Sequence, residues 1–547
     1  MTSPLSPHAH PLEEAPPARR AFTRVDGVAL AGLALISVAV HAWLYTHTFT
    51  TARDSIGFAQ LALQYEEPSR AVVAFPCTTV LHVVRHGEPP HPPGYPLIVL
   101  GVSKVVRAVA PPADDGELAA TMLRSTQLAS MLGALVLVVP SYSLGRRLFG
   151  PTQGFAAAAL FQVLPVSARV TSDGLTEAWY LVFVAFGLRS GVIAVQANGV
   201  RGFFAAGMFG GLAYLVRPEG LLVSLTMGVV AGLSLLDRNV GVARAVQRGL
   251  AVVLGTALVA GPYMGIIGGI TLKNAAAVMA ESVVAVPPLP AAGATLFAAT
   301  YDPERDGSKL QWVPKAISLE ATKTFHYAPL GFALLALPFA VRRLRTDPAV
   351  GVLLVMAGLN LGLVALLAAK VGYLSERHVL PLAFVGCFLA AHAMFGTRHF
   401  WRSVFGGPLT SPPATWVLYG IIFASCLPAT AKPLHEDRYG HRVLGEYLKV
   451  NATADDVILD PYNWAQFYSG RSVRGVPGDP PSPRYRWAVL EEGEKDHATA
   501  TKPRLKGALD VSRDAKNRPI VALEWADPAD TGKARKIVLY RQDAGKP

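Results

Sequence analysis

The sequence predicts an all-α, polytopic membrane domain of about 11 transmembrane helices followed by a small C-terminal α/β domain. Three observations predict it. Of 547 residues, 51% are hydrophobic and 16% charged, where a soluble protein carries about a quarter charged residues. The apolar residues gather in runs of roughly 17–25, the length that crosses a bilayer core as a helix. Arginines recur at the ends of these runs, as Arg146/Arg147, Arg342/Arg343/Arg345 and Arg398/Arg402, the charge bias that orients membrane helices. A purely soluble enzyme is excluded. The net charge of +12 reads as membrane topology and not as a nucleic-acid patch.

Residues 1–24 form a polar arm, Pro-rich through Pro17, expected to be disordered and cytoplasmic. Arg19, Arg20 and Arg24 precede the first apolar run, and no small-residue cleavage site follows. The run at 27–46 therefore reads as a retained helix and not a removed signal peptide. The chain then stays outside through residue 118, with an amphipathic stretch at 54–66 and a second apolar stretch at 92–110. The second begins HPPGYP and carries Lys104 and Arg107. It is expected to lie in or dip into the outer interface, because counting it as a span would reverse every later segment and put the Arg clusters outside. The remaining spans are expected at 120–142, 154–171, 175–195, 203–216, 219–236, 249–269, 327–341, 349–369, 378–396 and 414–431. The membrane domain is thus 25–431, with outer loops 47–118 and 270–326. In the extracytoplasmic tail, 432–547, HRVLGEYLKVNA (441–452) has helical spacing, and DVILD, WAVLE, IVALEW and KIVLYR read as strands. Cys387 and Cys426 fall in apolar segments and Cys77 is alone in a loop, so no disulfide framework is expected.

Five motifs carry ionisable groups to the outer boundary, where such groups are costly and are functional candidates by default. TARDSIGFAQLA (51–62) places Asp54 just past the first span. A carboxylate at headgroup depth can take a proton from a hydroxyl; it can equally cap the following helix. GEPPHPPGYPLIVL (87–100) offers Glu88 and His91, and reads otherwise as a solvated loop-to-helix junction. ARVTSDGLTEAW (168–179) places Arg169, Asp173 and Glu177 at a turn between two spans, with Asp173 again a possible cap. AYLVRPEGLLV (213–223) and GYLSERHVLPLAF (372–384) bring Arg217 and then Glu376, Arg377 and His378 to the outer side. Guanidinium groups there suit bidentate binding of phosphate oxygens, against the plain alternative of snorkelling to headgroups.

The order of Asp54 after the first span, HPPGYP, RRLFG (146–150), the outer Asp173, RPEG and ERHVLP resembles the GT-C superfamily of membrane glycosyltransferases. Most similar is the branch holding bacterial aminoarabinose transferases and protein O-mannosyltransferases, over about residues 25–400. The resemblance implies a helical membrane domain with two interfacial helices in the first outer loop. It implies a sugar donor on an undecaprenyl- or dolichyl-type phosphate, and a lipid, glycan or protein acceptor. The setting would be a multi-pass protein of the bacterial inner membrane, with its active site and tail outside. By this resemblance Asp54 matches the catalytic acidic residue of the first outer loop, Asp173 a second functional acidic position, and Arg377 the late Arg that contacts the lipid phosphate. His91, Glu88, Arg217 and His378 are expected to bind substrate. No cofactor is expected, no metal ligand is assigned, and divalent-metal dependence stays open. Ser55 and Phe58 stand where the family often has an acidic residue and a Tyr, and Pro90-His91 where some relatives have Glu-Lys.

Two other classes compete. A transporter or flippase of lipid-linked or anionic substrates would want charged or broken helices near the bilayer midplane and an inverted repeat; here the ionisable groups cluster at the outer boundary and no repeat is seen. A non-catalytic assembly or sensing protein would lack a lipid-phosphate cavity beneath the first outer loop.

Overall fold

The computed structural model describes residues 22–66, 91–236, 240–271, 299–301, 306–397, 401, 403, 411–474, 480, 483–491, 503–514, 519–526 and 536–544. In chain order its helices are α1 (Arg24–Thr46), α2 (Arg53–Glu66), α3 (Gly94–Val109), α4 (Asp115–Phe149), α5 (Pro151–Val163), α6 (Pro165–Ser172), α7 (Glu177–Gln196), α8 (Val200–Val216), α9 (Leu221–Leu233), α10 (Val242–Ile267), α11 (Lys309–Phe325), α12 (Ala328–Arg343), α13 (Val350–Val371), α14 (Glu376–Gly396), α15 (Pro412–Thr430), α16 (Tyr439–Asn451), α17 (Trp464–Tyr468) and α18 (Pro503–Arg513).

Among the described residues, 8 helices are long and apolar enough to cross a membrane, or up to 10 spans if each of two bent pairs counts as one, and α8 is a shorter apolar helix. The chain is a multi-pass membrane protein. Each segment expected to span falls on one of these helices, but two expectations need correction. The stretch 154–171 is not one straight helix: α5 and α6 meet at 65°. Pro165 has no amide hydrogen to continue the ladder, and Leu164 before it is extended (φ −56°, ψ 126°), as the residue preceding a proline prefers. The stretch 327–341 is preceded by α11, within what the sequence suggested was outer loop, and the two helices bend by 110°. His326 (φ 53°) and Tyr327 (φ 63°) make that corner, in a region costly for non-glycine residues.

Burial ranks the helices. In α14, 89% of the apolar window is buried, against 22% in α1 and 28% in α15, so α14 runs through the centre of the bundle. Arg146, Arg147 and Arg343, predicted to share one end, do so. Arg146 pairs with Asp26 at 2.6 Å, Arg147 donates to Gln196 at 2.8 Å, Gln196 donates to Asp347 at 3.2 Å, and Arg343 donates to the Leu148 carbonyl at 2.7 Å. The RRLFG motif ends here because Gly150 adopts φ 103°, open to glycine and not to side chains. Arg398 and Arg402 lie outside the described residues, as do Glu88 and Cys77.

The opposite end of α4 carries α2 and α3. Neither is among the helices able to cross a membrane, in keeping with two surface helices in the first long loop. They pack on each other through Phe58 and Tyr95, ring centroids 5.0 Å apart, and an Arg107–Glu66 ion pair at 2.6 Å. The Tyr95 hydroxyl seats α3 on α4 by donating to the Thr126 carbonyl at 2.9 Å.

The tail lies at this same end. Strands β3 (Val457–Leu459), β4 (Tyr485–Glu491), β5 (Ile520–Ala526) and β6 (Lys536–Asp543) follow a short pair, β1 (Ala299–Thr300) and β2 (Tyr373–Leu374). The tail sheet has the order β3-β4-β6-β5, parallel between β3 and β4 and antiparallel elsewhere. Its strands are those read from the sequence. The backbone around Leu434 pairs with the chain leaving α1: Phe49 donates to the Leu434 carbonyl at 3.1 Å and Leu434 to the His47 carbonyl at 3.0 Å. Lys449 of α16 bonds Asp114, just before α4, at 2.7 Å.

Candidate active site

Arg377 sits in the first turn of α14. Ser375 precedes it in extended conformation and donates its backbone N–H to His378 Nδ1 at 3.2 Å, which fixes the helix start and hence the direction of Arg377. Its guanidinium then makes two ion pairs. Nη1 donates to Asp54 Oδ2 at 2.9 Å, and Nε donates to Glu177 Oε1 at 2.8 Å. Glu177, in the first turn of α7, also binds Arg217, and Arg217 reaches Glu219 at 3.2 Å. The result is a chain Asp54–Arg377–Glu177–Arg217–Glu219 drawn from four separated stretches of sequence. Its members differ in environment. Glu177 is 2% exposed and Arg217 7%, whereas Asp54 is 55% exposed. A buried carboxylate is retained only when paired, and Glu177 has two guanidinium partners.

Two cavities flank the Asp54–Arg377 pair, one lined by Arg377 and the other by Asp54. One, of about 90 Å³, is mainly apolar and runs between α7, α13 and α14; Leu181, Leu363, Val364 and Leu367 line it together with Arg217, Arg377 and His378. The Tyr180 hydroxyl and Asn360 Oδ1 also belong to residues lining this cavity, and each is buried with no hydrogen-bond partner among the described residues. The other cavity, of about 280 Å³, is polar and lies against α2, with Asp54 and His91 in its wall. His91 stacks edge-on against Phe58, centroids 5.4 Å apart. Beside the site, burial pushes the Tyr373 phenol above its usual value, so that side chain stays neutral and acts as a hydrogen-bonding group.

Of the residues singled out in the sequence, Asp54, Arg377, Arg217, His378 and His91 therefore meet around these two cavities. Asp173 does not join the ion-pair chain. Its Oδ1 accepts the Ala52 N–H at 2.8 Å and its Oδ2 faces His435 Nε2 of the tail at 2.7 Å. The side chain anchors the entrance to α2 instead of lining either cavity. Glu177 was named in its motif but given no role, and Glu219 was not singled out. An acid one turn into a span, four residues after Asp173, was the available signal for Glu177. Nothing in the sequence pointed to His435 or to Asn463, which lines the polar cavity from the tail. Among the described residues no group of three or more His, Cys, Asp and Glu side chains is placed to hold a metal ion.

The chain is similar to known proteins at three levels. Residues 117–262 match the family described as dolichyl-phosphate-mannose-protein mannosyltransferase. The structure resembles ArnT from Cupriavidus metallidurans bound to undecaprenyl phosphate, at 14% identity and a TM-score of 0.50, over 95% of this chain and 98% of that one. It also resembles the archaeal oligosaccharyltransferase AglB from Archaeoglobus fulgidus in complex with an inhibitory peptide and a dolichol-phosphate, at 15% identity and a TM-score of 0.52. That likeness covers 83% of this chain, which spans about 60% of the oligosaccharyltransferase's length. No curated protein matches by sequence. At such identities the likeness is one of fold: the chain shares the membrane fold of ArnT and of the oligosaccharyltransferase AglB, the kind of helical domain that the order of motifs led one to expect.

Proposed function

We propose that this chain is a membrane glycosyltransferase that moves a sugar from a polyprenyl-phosphate carrier to an acceptor hydroxyl on the extracytoplasmic face, in the manner of a bacterial inner-membrane enzyme. One observation carries the reading: Arg377 links an exposed carboxylate, Asp54, to a buried one, Glu177, with Arg377 lining an apolar cavity and Asp54 a polar one. The family match, and neighbours solved with dolichol-phosphate and undecaprenyl phosphate, support it. The Arg-rich end of the bundle, opposite the site, supports the orientation.

The chemistry follows from the arrangement. The isoprenoid chain lies along the apolar cavity, with its phosphate at Arg377 and Arg217. Those two cations are already matched by three carboxylates, so the phosphate must displace one of them. Asp54 is the one that returns to water at least cost, being half exposed where Glu177 is buried. Displacement frees Asp54 at the wall of the polar cavity, where the acceptor stands. Asp54 takes the acceptor's hydroxyl proton, and the oxygen attacks the anomeric carbon from the face opposite the phosphate. The bond from that carbon to the phosphate oxygen breaks, and the electron pair leaves with the polyprenyl phosphate. The guanidinium groups neutralise the charge that develops there. A single displacement of this kind inverts the anomeric centre. His378 and His91 flank donor and acceptor, respectively. Asp173, on this reading, acts at one remove by holding the start of α2.

The transporter reading gains nothing from the geometry, since the ionisable chain lies at the helix ends facing α2 and the tail. The test is incubation of purified protein with a panel of polyprenyl-phosphate sugars. Release of free polyprenyl phosphate with sugar appearing on an acceptor is expected; vectorial movement of intact donor across a vesicle without cleavage would refute the assignment.

A further inference from the structure

We propose that the acceptor is a hydroxyl-rich saccharide and that Asn463, in the C-terminal tail, is a specificity-determining residue for it; this rests on the transferase reading above. The cavity beside Asp54 is walled by the polar side chains of Arg53, Gln60, Gln64, His91 and Asn463 together with Ile56, Gly57 and Leu61. A carboxamide both donates and accepts hydrogen bonds, as a hydroxyl does. The carboxamides of Gln64 and Asn463 beside a carboxylate are complementary to a ring of hydroxyls, and Gln60, whose amide is held by the Ser472 carbonyl, adds its oxygen. An acyl chain or an apolar peptide side chain in the same space would strip water from these polar groups without replacing it by hydrogen bonds of its own. The neighbouring cavity is mainly apolar, with Leu181, Leu363, Val364 and Leu367 in its wall, and on the reading above takes the isoprenoid; the contrast separates the two occupants.

Asn463 is held in register with Asp54 from both sides. The turn that carries it is built on Asp460, whose carboxylate accepts the backbone N–H of Tyr462 at 2.9 Å and of Gln466 at 3.0 Å. Asn463 itself adopts φ 67°, a left-handed conformation that Asn tolerates better than most residues. The next residue, Trp464, is fully buried and donates its indole N–H to the Thr51 carbonyl at 3.0 Å, just ahead of α2. Further along, Gln60 donates to the Ser472 carbonyl at 2.6 Å, and the Tyr468 and Thr50 hydroxyls meet at 3.1 Å. The tail is thus fastened to the helix that bears Asp54, and one wall of the acceptor cavity belongs to it.

The experiment uses the full chain in lipid nanodiscs with a polyprenyl-phosphate sugar as donor. Methyl glycosides of glucose, galactose and mannose serve as one set of acceptor probes, and a Ser/Thr-containing peptide as the other. Transfer to at least one methyl glycoside should exceed transfer to the peptide about tenfold. Asn463→Gly, which keeps the left-handed backbone, should raise the KM for that glycoside about fivefold with kcat little changed, the effect of one lost hydrogen bond. Gln64→Met, on the facing helix, should do the same. Preference for the peptide, an unchanged KM in both variants, or a fall in kcat at constant KM overturns the proposal while donor cleavage persists. A wild-type protein that cleaves no donor overturns the transferase reading, and the proposal with it.

Discussion

Replacing Asp54 by Asn separates chemistry from structure at this site. Asp54 is 55% exposed and Arg377 27%, and an ion pair in such surroundings contributes roughly 0–1 kcal/mol to stability. Arg377 keeps its second partner, Glu177, at 2.8 Å, so its position survives the change. The folded protein should therefore lose at most about 1 kcal/mol, a shift of a few degrees or less in thermal midpoint. Loss of a positioned general base costs about 10²–10⁴ in rate, or about 3–5 kcal/mol of barrier. The two readouts are the rate of polyprenyl-phosphate release from the donor and the unfolding midpoint in detergent. The expectation is a rate down by two orders of magnitude or more at an almost unchanged midpoint. A variant that retains a tenth or more of the activity would refute the assignment of Asp54 as base. Inactivity accompanied by a collapsed midpoint would show that the side chain supports the fold instead.

Glu177→Gln should behave in the opposite manner: it leaves two guanidinium groups facing a neutral amide in a site where the carboxylate is 2% exposed. A loss of about 3–5 kcal/mol in stability is expected, read as a clearly lowered midpoint. Asp173→Asn weakens the link between the Ala52 N–H and His435, so limited proteolysis should release the tail faster while binding of polyprenyl phosphate is retained; equal proteolysis rates would remove Asp173's anchoring role. Burial holds the Asp460 carboxyl above its usual range. A carboxyl whose folded-state value is raised favours the fold most when protonated, and this contribution is lost as pH rises from the unfolded value through the folded one. Asp460→Asn should flatten the fall in midpoint above about pH 4, and a profile identical to wild type would show that Asp460 does not govern it.

Run length was enough to place the membrane helices, because a bilayer core of fixed thickness demands a fixed number of apolar residues. It could not show how those helices bend. Pro165 sits inside a continuous apolar run, and whether a proline kinks or breaks a helix depends on what packs against it. Helix α11 is too polar to announce itself as part of a membrane fold, yet it packs beside α14. In the site, residue type at a boundary was legible for Asp54, Arg217 and Arg377. Partnership was not: Arg377 is 323 residues from Asp54 and 200 from Glu177, and no local pattern encodes pairing at such separations. Asp173 drew attention for being an acid at an outer turn. Its bond to a tail residue 262 positions away was beyond any local signal. The tail's strands were written in their alternation, but the seat of its 460–472 segment on α2 was not.

The backbone bonds between the end of α1 and Leu434 also bear on biosynthesis. Translation delivers Asp54 early, yet the clasp that fixes the segment leading to it arrives only after α15, and the wall bearing Asn463 later still. A nascent chain halted before these segments emerge would hold every cation of the ion-pair chain and still present an unfinished acceptor chamber. On the proposed reading, competence to act on a lipid-linked sugar is thus postponed until the segment bearing Asn463 has left the ribosome.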